Sequence, residues 1–347
     1  MIFHQLHAER GCCSYLIGCP TRRIGLVVDP ILELVDQYLA IASREGLSLR
    51  YALDTHTHAD HFTGTRELKR RTGALIVMHA ASRAPFIDVR VHDGELLRVG
   101  ELRARILHTP GHTTDGVCLV LDDRVLTGDT LLINGCGRTD FPGGSAEALH
   151  ASLFERLLTL PAETRVYPGH DYRRLGSSTI EQERAGNPRL QRTERSCFVA
   201  FMGSLALNAP DHLTEALRTN LTGAETVEQM LADAAARVPF MGMDELERRL
   251  GDDRLVILDV RDGDAYRAGH IPGARHIPRG ELELRVNQAF PVPGVRIVCY
   301  CQYGKISTLA AATLRDMGFS GAAALDGGFG VWVEAGRATD SGRPTEK

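Results

Sequence analysis

The chain reads as an α/β protein of two domains, and three observations predict it. Short apolar strands alternate with loops and a few helices through the first half. From about residue 187 to 240 the alternation stops, and afterwards a strand, loop and helix rhythm returns. The length of 347 residues also exceeds what a single core usually holds.

Each element follows from its own pattern. Strands are expected in YLIG (15–18), IGLVVDP (24–30), YALDTHTH (51–58), GALIVMHA (73–80), ARILHTPGH (104–112), GVCLVLDDRVLTGDT (116–130) and TRVYPGHD (164–171). ILELVDQYLAIASREG and GTRELKRRTG between them read as helices. The stretch NPRLQRTERSCFVAFMGSLALNAPDHLTEALRTN and the Ala-rich QMLADAAARVPF read as helices and a connector. Then come MDELERRLG as a helix, RLVILDVRD as a buried strand, VRIVCYCQYG as strand plus loop, STLAAATLRDMG as a helix, and AAALDGGFGVWVEAG. That order suggests a small domain around a parallel sheet. The expected domains are 1–207, a helical connector 208–240, and 241–340, with a frayed tail in ATDSGRPTEK.

Composition sets aside several functions. A formal net charge of -4 leaves no basic footprint for nucleic acid or anionic lipid, and no apolar run approaches a membrane span. The N-terminal MIFHQLHAERGCCSYLIG lacks a charged segment followed by an apolar one, so no signal peptide is expected. The compartment expected is the cytoplasm, provided the chain is bacterial or lacks a removed transit peptide. The eight cysteines are scattered and read as packed thiols or reactive ones, not disulfides. Cys12, Cys13 and Cys19 have no matching downstream pair for a zinc knuckle, and Cys136 reads as a packed thiol.

Metal-capable groups gather where strands give way to loops. HTHADH supplies His56, His58, Asp60 and His61, and later junctions supply His112, Asp129 and His170. Imidazole and carboxylate without thiolate suit zinc or iron and argue against a structural thiolate site. The set resembles the metallo-β-lactamase superfamily over roughly residues 1 to 205, which implies an αββα sandwich with its site at one edge. Seven such ligands support either a two-metal hydrolase, as in glyoxalase II, or a one-metal oxygenase.

The text between the ligands is more selective. Residues 128–172, with GCGRTDF at 135–141 as the sharpest marker, resemble the persulfide dioxygenase branch. That resemblance implies one Fe(II) per chain on His56, His112 and Asp129, open to dioxygen and a substrate sulfur. His58, Asp60, His61 and His170 would then orient these ligands and handle protons. It implies oxidation of glutathione persulfide by O2 to sulfite and glutathione, a step in hydrogen sulfide metabolism. Arg138 and Tyr172 are the candidate contacts for the glutathione carboxylates, with an ion pair to Asp140 or Asp129 as the competing role for Arg138. The alternative is a glyoxalase II-like glutathione thioester hydrolase with two metals. A sulfurtransferase whose first domain only binds or senses sulfide is a further one.

CYCQYGKIS (299–307) ends a strand in a tight loop before a helix, so backbone N–H groups and the positive helix end face Cys301. Such a cradle suits a nucleophilic thiol and stabilises an anionic persulfide on it. Cys299 reads as buried. The flanking VILDVRDGDAYRAGHIPGARHIP and LDGGFGVWVEAG resemble a rhodanese domain over roughly 241–337. The resemblance implies Cys301 as the persulfide-forming nucleophile, Gln302, Tyr303, Gly304, Lys305 and Ile306 as its loop, and Asp259, Arg261 and His270 as scaffold. Ile306 and Gln302 stand where arginines are frequent, which weakens the case for a dianion such as thiosulfate unless Lys305 compensates. The partners expected are thus glutathione persulfide, glutathione, thiosulfate, sulfite and O2, and a homodimer is compatible with the chain.

Overall fold

The structure, a computed structural model, describes residues 1–8, 11–205, 213–291 and 294–342. It divides into two compact units, Met1–Ala224 and Glu225–Lys347.

The first unit is a sandwich of two six-stranded sheets. One sheet runs in chain order across Ile2–His7, Cys13–Gly18, Ile24–Val28, Ser48–Leu53, Leu75–His79 and Val89–Val91. The other runs from Leu96–Val99 through Leu102–His108, Val117–Val120, Arg124–Gly128 and Arg165–Pro168 to Ser178–Thr179. Strand alternation divides the apolar residues between two layers. Tyr15, Ile17, Leu26, Val28 and Leu53 face Ile106, Leu119, Leu126 and Tyr167 between the sheets. Their neighbours Leu16, Val27 and Ala52 face outward, under Val35 and Tyr38 of the helix Val35–Arg44. On the far side Leu107, Cys118 and Val125 pack under Leu149, Leu153 and Phe198. Helix, sheet, sheet and helix is the αββα order expected.

Several strands carry no clear sequence signal. Ile2–His7 interleaves His4, Gln5 and His7 with apolar residues and stays half-buried, because it is an edge strand paired only with Cys13–Gly18. Val89–Val91 and Leu96–Val99 are short edges, and Leu131–Leu132 pairs with Gly135–Cys136 as a small hairpin. The expected strand YALDTHTH ends at Leu53, which hands the whole of HTHADH to a loop.

The second unit holds a five-stranded, all-parallel sheet in the order Phe240–Met241, Ala322–Leu325, Arg296–Tyr300, Leu255–Asp259 and Arg275–His276. The helix Lys305–Asp316 covers it with Ala310, Ala311 and Leu314.

The segment 208–240 expected as a connector is divided between the units. The helix Leu213–Thr222 belongs to the first, and Val227–Arg237 belongs to the second, where Ala234 joins the core and Arg237 pairs with Asp316 at 2.8 Å. Residues 208–212 of that segment and 343–347 of the tail lie outside the described residues. Among the described residues no helix is long and apolar enough to cross a membrane.

Candidate active sites

In the first unit, loops at the ends of four strands converge. His56, His112 and Asp129 bring one ligand atom each within 4.8 Å of one another, all three buried. Hydrogen bonds decide which nitrogen of each imidazole is available. The Arg138 carbonyl lies 2.8 Å from His112 Nδ1 and can only accept, so Nδ1 carries a proton and Nε2 is the nitrogen left for a metal. That Nε2 lies 3.7 Å from Asp129 Oδ2. Thr55 Oγ1 donates to Asp29 Oδ2 at 2.9 Å and so accepts from His56 Nδ1 at 2.9 Å. His56 Nε2 is then a buried lone pair without a hydrogen-bond partner. Burial, with the neighbouring His58, pushes His56 down to about 3, so the ring is neutral.

The glycine before Arg138 makes this geometry attainable. A Cβ on Gly137 would sit 2.1 Å from the Asp129 carbonyl oxygen and 3.0 Å from His112 Cβ, so GCGRTDF can pass behind both residues only with glycine there.

Around the triad, acidic residues hold the other imidazoles. His170 contacts Asp129 Oδ1 through Nδ1 at 2.8 Å and Asp60 Oδ2 through Nε2 at 2.9 Å. Against its burial, the two carboxylates hold His170 well above the usual histidine range. Burial would also push Asp129 up, but His170 keeps it well below the usual carboxylate range. His58 Nε2 faces Asp29 at 3.2 Å, while His58 Nδ1 and His61 Nε2 are buried without partners. Buried imidazole nitrogens without hydrogen-bond partners on His56, His58 and His61, with His112 and the Asp129 carboxylate beside them, form a donor set that fits a divalent iron or zinc ion.

In the second unit, Cys301 follows the strand Arg296–Tyr300, and Gly304 caps the helix that starts at Lys305. Ser307 N–H points at Cys301 Sγ from 3.3 Å. The loop carbonyls of Cys301 and Gln302 are drawn the other way, accepting from Phe329 and Gly330 N–H at 2.7 and 2.9 Å. This close contact explains the glycines of LDGGFG, since a Cβ on Gly328 would meet the Cys301 carbonyl oxygen at 2.7 Å. A cavity of about 500 Å³ opens over Cys301.

Comparison with known proteins agrees with both geometries. The metallo-beta-lactamase superfamily model matches residues 8–170, and the rhodanese-like domain model matches residues 242–335. The chain is 40% identical over 227 residues to the mitochondrial persulfide dioxygenase ETHE1 of Homo sapiens, covering 64% of this chain and 88% of that one. The chain belongs to the metallo-beta-lactamase superfamily, in its ETHE1-like branch, with a rhodanese-like domain following in sequence. A crystal structure of ETHE1 from Myxococcus xanthus superposes with a TM-score of 0.62 at 42% identity, covering 63% of this chain and 98% of that one. A hydroxyacylglutathione hydrolase of Methylococcus capsulatus is 38% identical over 231 residues, covering 65% and 79%.

Within this ETHE1-like unit, the residues singled out in the sequence fall into distinct places. His56, His112, Asp129, His170, Asp60, His58 and His61 all converge. The Arg138 side chain forms a two-pronged ion pair with Asp140 at 2.6 and 2.7 Å, the competing role expected for it, and lies over Phe141 at 4.1 Å. Its backbone carbonyl accepts from His112 Nδ1. Tyr172 is 71% exposed and stacks on His170 with ring centroids 5.4 Å apart. Cys136 is a packed thiol against Met202, as read.

Sequence reasoning missed the supporting groups. Asp29 also accepts from Thr55 N–H at 2.6 Å, and Asp115 accepts from Thr57 Oγ1 at 2.6 Å. Asn220 donates to the carbonyls of His58 and His61 at 2.9 and 2.8 Å and accepts from Thr63 N–H at 3.1 Å. Cys12 lies 3.2 Å from Asp60 Oδ2 and 3.6 Å from His170 Nε2, a position that its CC dipeptide does not signal. Only Asp29 left a trace, as the Asp-Pro that ends a strand.

In the rhodanese-like unit Arg261 grips the fully buried Asp259 and the Gly269 carbonyl, each at 2.7 Å, and His270 stacks on Tyr266, contacts that fit the scaffold role expected of them. Cys299 is fully buried and burial pushes its thiol up to about 12. Tyr303 and Lys305 are exposed at the loop, and Lys305 is not among the residues that line the cavity.

Proposed function

We propose that the first unit oxidises the persulfide of a small thiol, glutathione persulfide, with O2 to sulfite and the free thiol. In the balance, the terminal sulfur is oxidised, dioxygen is reduced, and water supplies the third oxygen of sulfite. The observation that carries the reading is the pair of tied Nδ1 atoms, which aims His56 Nε2 and His112 Nε2 at one point beside Asp129. Two imidazoles and one carboxylate would hold a single Fe(II), which when bound supplies open positions for dioxygen and a sulfur anion.

The chain's own residues do the rest. Thr55 and the Arg138 carbonyl keep both rings in the metal-binding tautomer. His170 holds a proton between Asp129 and Asp60, next to the reacting atoms, where it steadies the Asp129 carboxylate. Tyr172, exposed beside His170, offers an aromatic face and a hydroxyl to the thiol carrier.

The second unit we read as a sulfurtransferase. Cys301 thiolate attacks the outer sulfur of thiosulfate, the S–S bond breaks, and sulfite leaves. Glutathione thiolate then takes the sulfur from the Cys301 persulfide, which gives glutathione persulfide and restores the thiolate. The Ser307 N–H at 3.3 Å supports the anionic sulfur in both stages.

A two-metal thioester hydrolase is favoured by one observation, the unpartnered His58 Nδ1 and His61 Nε2. Oxygen uptake by the iron-loaded protein on adding glutathione persulfide, with metal content assayed on the same sample, separates the two. Rapid uptake with about one iron per chain supports the oxygenase. No uptake, with two metals and hydrolysis of a glutathione thioester, assigns the site to a hydrolase.

A further inference from the structure

The Cys301 loop presents no cation of its own to the cavity: Ile306 lines it where an arginine is frequent, and Lys305 lies outside. Two arginines from elsewhere in the unit are among the lining residues, Arg261 and Arg279. Arg261 is already neutralised. Its Nε and Nη2 hold Asp259, Nη2 also holds the Gly269 carbonyl, Nη1 reaches Gln302 Oε1 at 3.3 Å, and the group lies over Phe329 at 3.9 Å.

Arg279 differs. Its backbone N–H donates to the Val260 carbonyl at 3.0 Å, which fixes it beside the end of the Leu255–Asp259 strand. Its Nη2 donates to Thr313 Oγ1 at 3.1 Å and its Nη1 to Glu283 at 2.8 Å. That ion pair is an i,i+4 surface pair, with the Glu283 side chain 44% exposed, and pairs of this kind are weak enough for an incoming anion to share. The positive charge of Arg279 also offsets part of the burial effect on Cys299, two residues before the nucleophile. Asp262 lines the same cavity, so its acid is set against the two arginines there.

Resting on the sulfurtransferase reading, we propose that Arg279 is the anion anchor of this site, holding the sulfonate end of thiosulfate, or sulfite in the reverse direction, while Cys301 takes the outer sulfur. The chain thus replaces the missing loop arginine with one from the start of a separate helical segment. A donor without a sulfonate, such as glutathione persulfide, does not need this anchor.

The test uses the full chain and measures sulfur transfer to cyanide from two donors, thiosulfate and glutathione persulfide. Arg279→Gln is expected to lower kcat/KM for thiosulfate by roughly 10–100-fold, the range of a lost charge-assisted contact. It is expected to raise the inhibition constant of sulfite in parallel and to leave the persulfide donor within about twofold. Arg279→Lys should recover part of the loss, and Ile306→Arg placed on Arg279→Gln should recover more, because it returns a cation to the loop. Equal losses with both donors would make Arg279 merely structural, and unchanged thiosulfate kinetics would overturn the assignment alone. A wild-type chain that transfers sulfur from neither donor would overturn the sulfurtransferase reading and this assignment with it.

Discussion

His112 Nδ1 donates its proton to the backbone carbonyl of Arg138 across 2.8 Å, so the most selective sequence segment of the first unit acts on the metal-binding ring through its main chain. The Arg138 side chain meanwhile pairs with Asp140 at 2.6 Å. Gly137, just before it, has no room for a Cβ against Asp129 and His112. Arg138→Ala is therefore expected to keep its iron, whereas Gly137→Ala displaces His112 and loses roughly 10–100-fold in metal affinity. Iron per chain after dialysis against a graded chelator distinguishes the two, and equal retention would contradict the backbone role.

Thr55→Val removes the hydroxyl that links Asp29 to His56. The volume is conserved, but His56 loses its Nδ1 acceptor and Asp29 loses a donor. Iron affinity should fall by roughly 10-fold or more, with a stability loss on the order of 1–3 kcal/mol. Chelator competition and thermal melting of the same sample provide the check.

Asn220 ties the HTHADH loop to the helix Leu213–Thr222. A chain ending after residue 224 should keep the loop ordered and retain metal. One ending after residue 207 should lose stability by several kcal/mol and bind iron poorly, since three hydrogen bonds to a buried loop go with the helix. Asn220→Ala in the full chain should reproduce part of that loss. Metal retention equal across all three chains would mean that the helix does not support the site.

Cys301→Ser should abolish sulfur transfer from either donor and leave persulfide-dependent oxygen uptake within about twofold, because a hydroxyl cannot form the persulfide. Loss of both activities would show that the assignment of one reaction to each unit is wrong.

His79 provides a pH test away from the metal site. Burial, with His108 stacked at 3.8 Å, lowers it from 6.5 to about 4. Its Nδ1 accepts from Ala81 N–H, which requires the neutral ring. A folded value below the unfolded one means that the contribution is fully present above about 6.5 and is lost as pH falls through about 4. Asp93 and Asp115, which act in the opposite sense, and His92 share this neighbourhood. Denaturant melts of wild type and His79→Gln between pH 7 and 4 should therefore converge as pH falls, and parallel curves would exclude the effect.

Much of the candidate site was legible before folding. His56, His58, Asp60, His61, His112, Asp129 and His170 announce themselves because metal ligands must be of few types and sit at strand ends. Cys301 does so because a strand, a tight loop and a helix in succession define its cradle. Asp29, Asp115 and Asn220 were not, since an acid or amide that orients another residue's loop looks locally like any polar residue. The edge strand Ile2–His7 was hidden for a related reason: with one face half-buried and one neighbour, its pattern is diluted.

The sequence by itself determined the two α/β units, the family resemblance, the imidazoles and carboxylates of the candidate site in the first unit and the place of Cys301 between strand and helix in the second. These depend on local period and on residue chemistry, which a linear string carries. Only the tertiary structure decided that the Arg138 carbonyl meets His112, that Asn220 lies in the first unit, and that Arg279 lines the same cavity as Cys301. Each of those depends on which distant segments touch, and that is set by packing of the whole core rather than by any residue's neighbours in sequence.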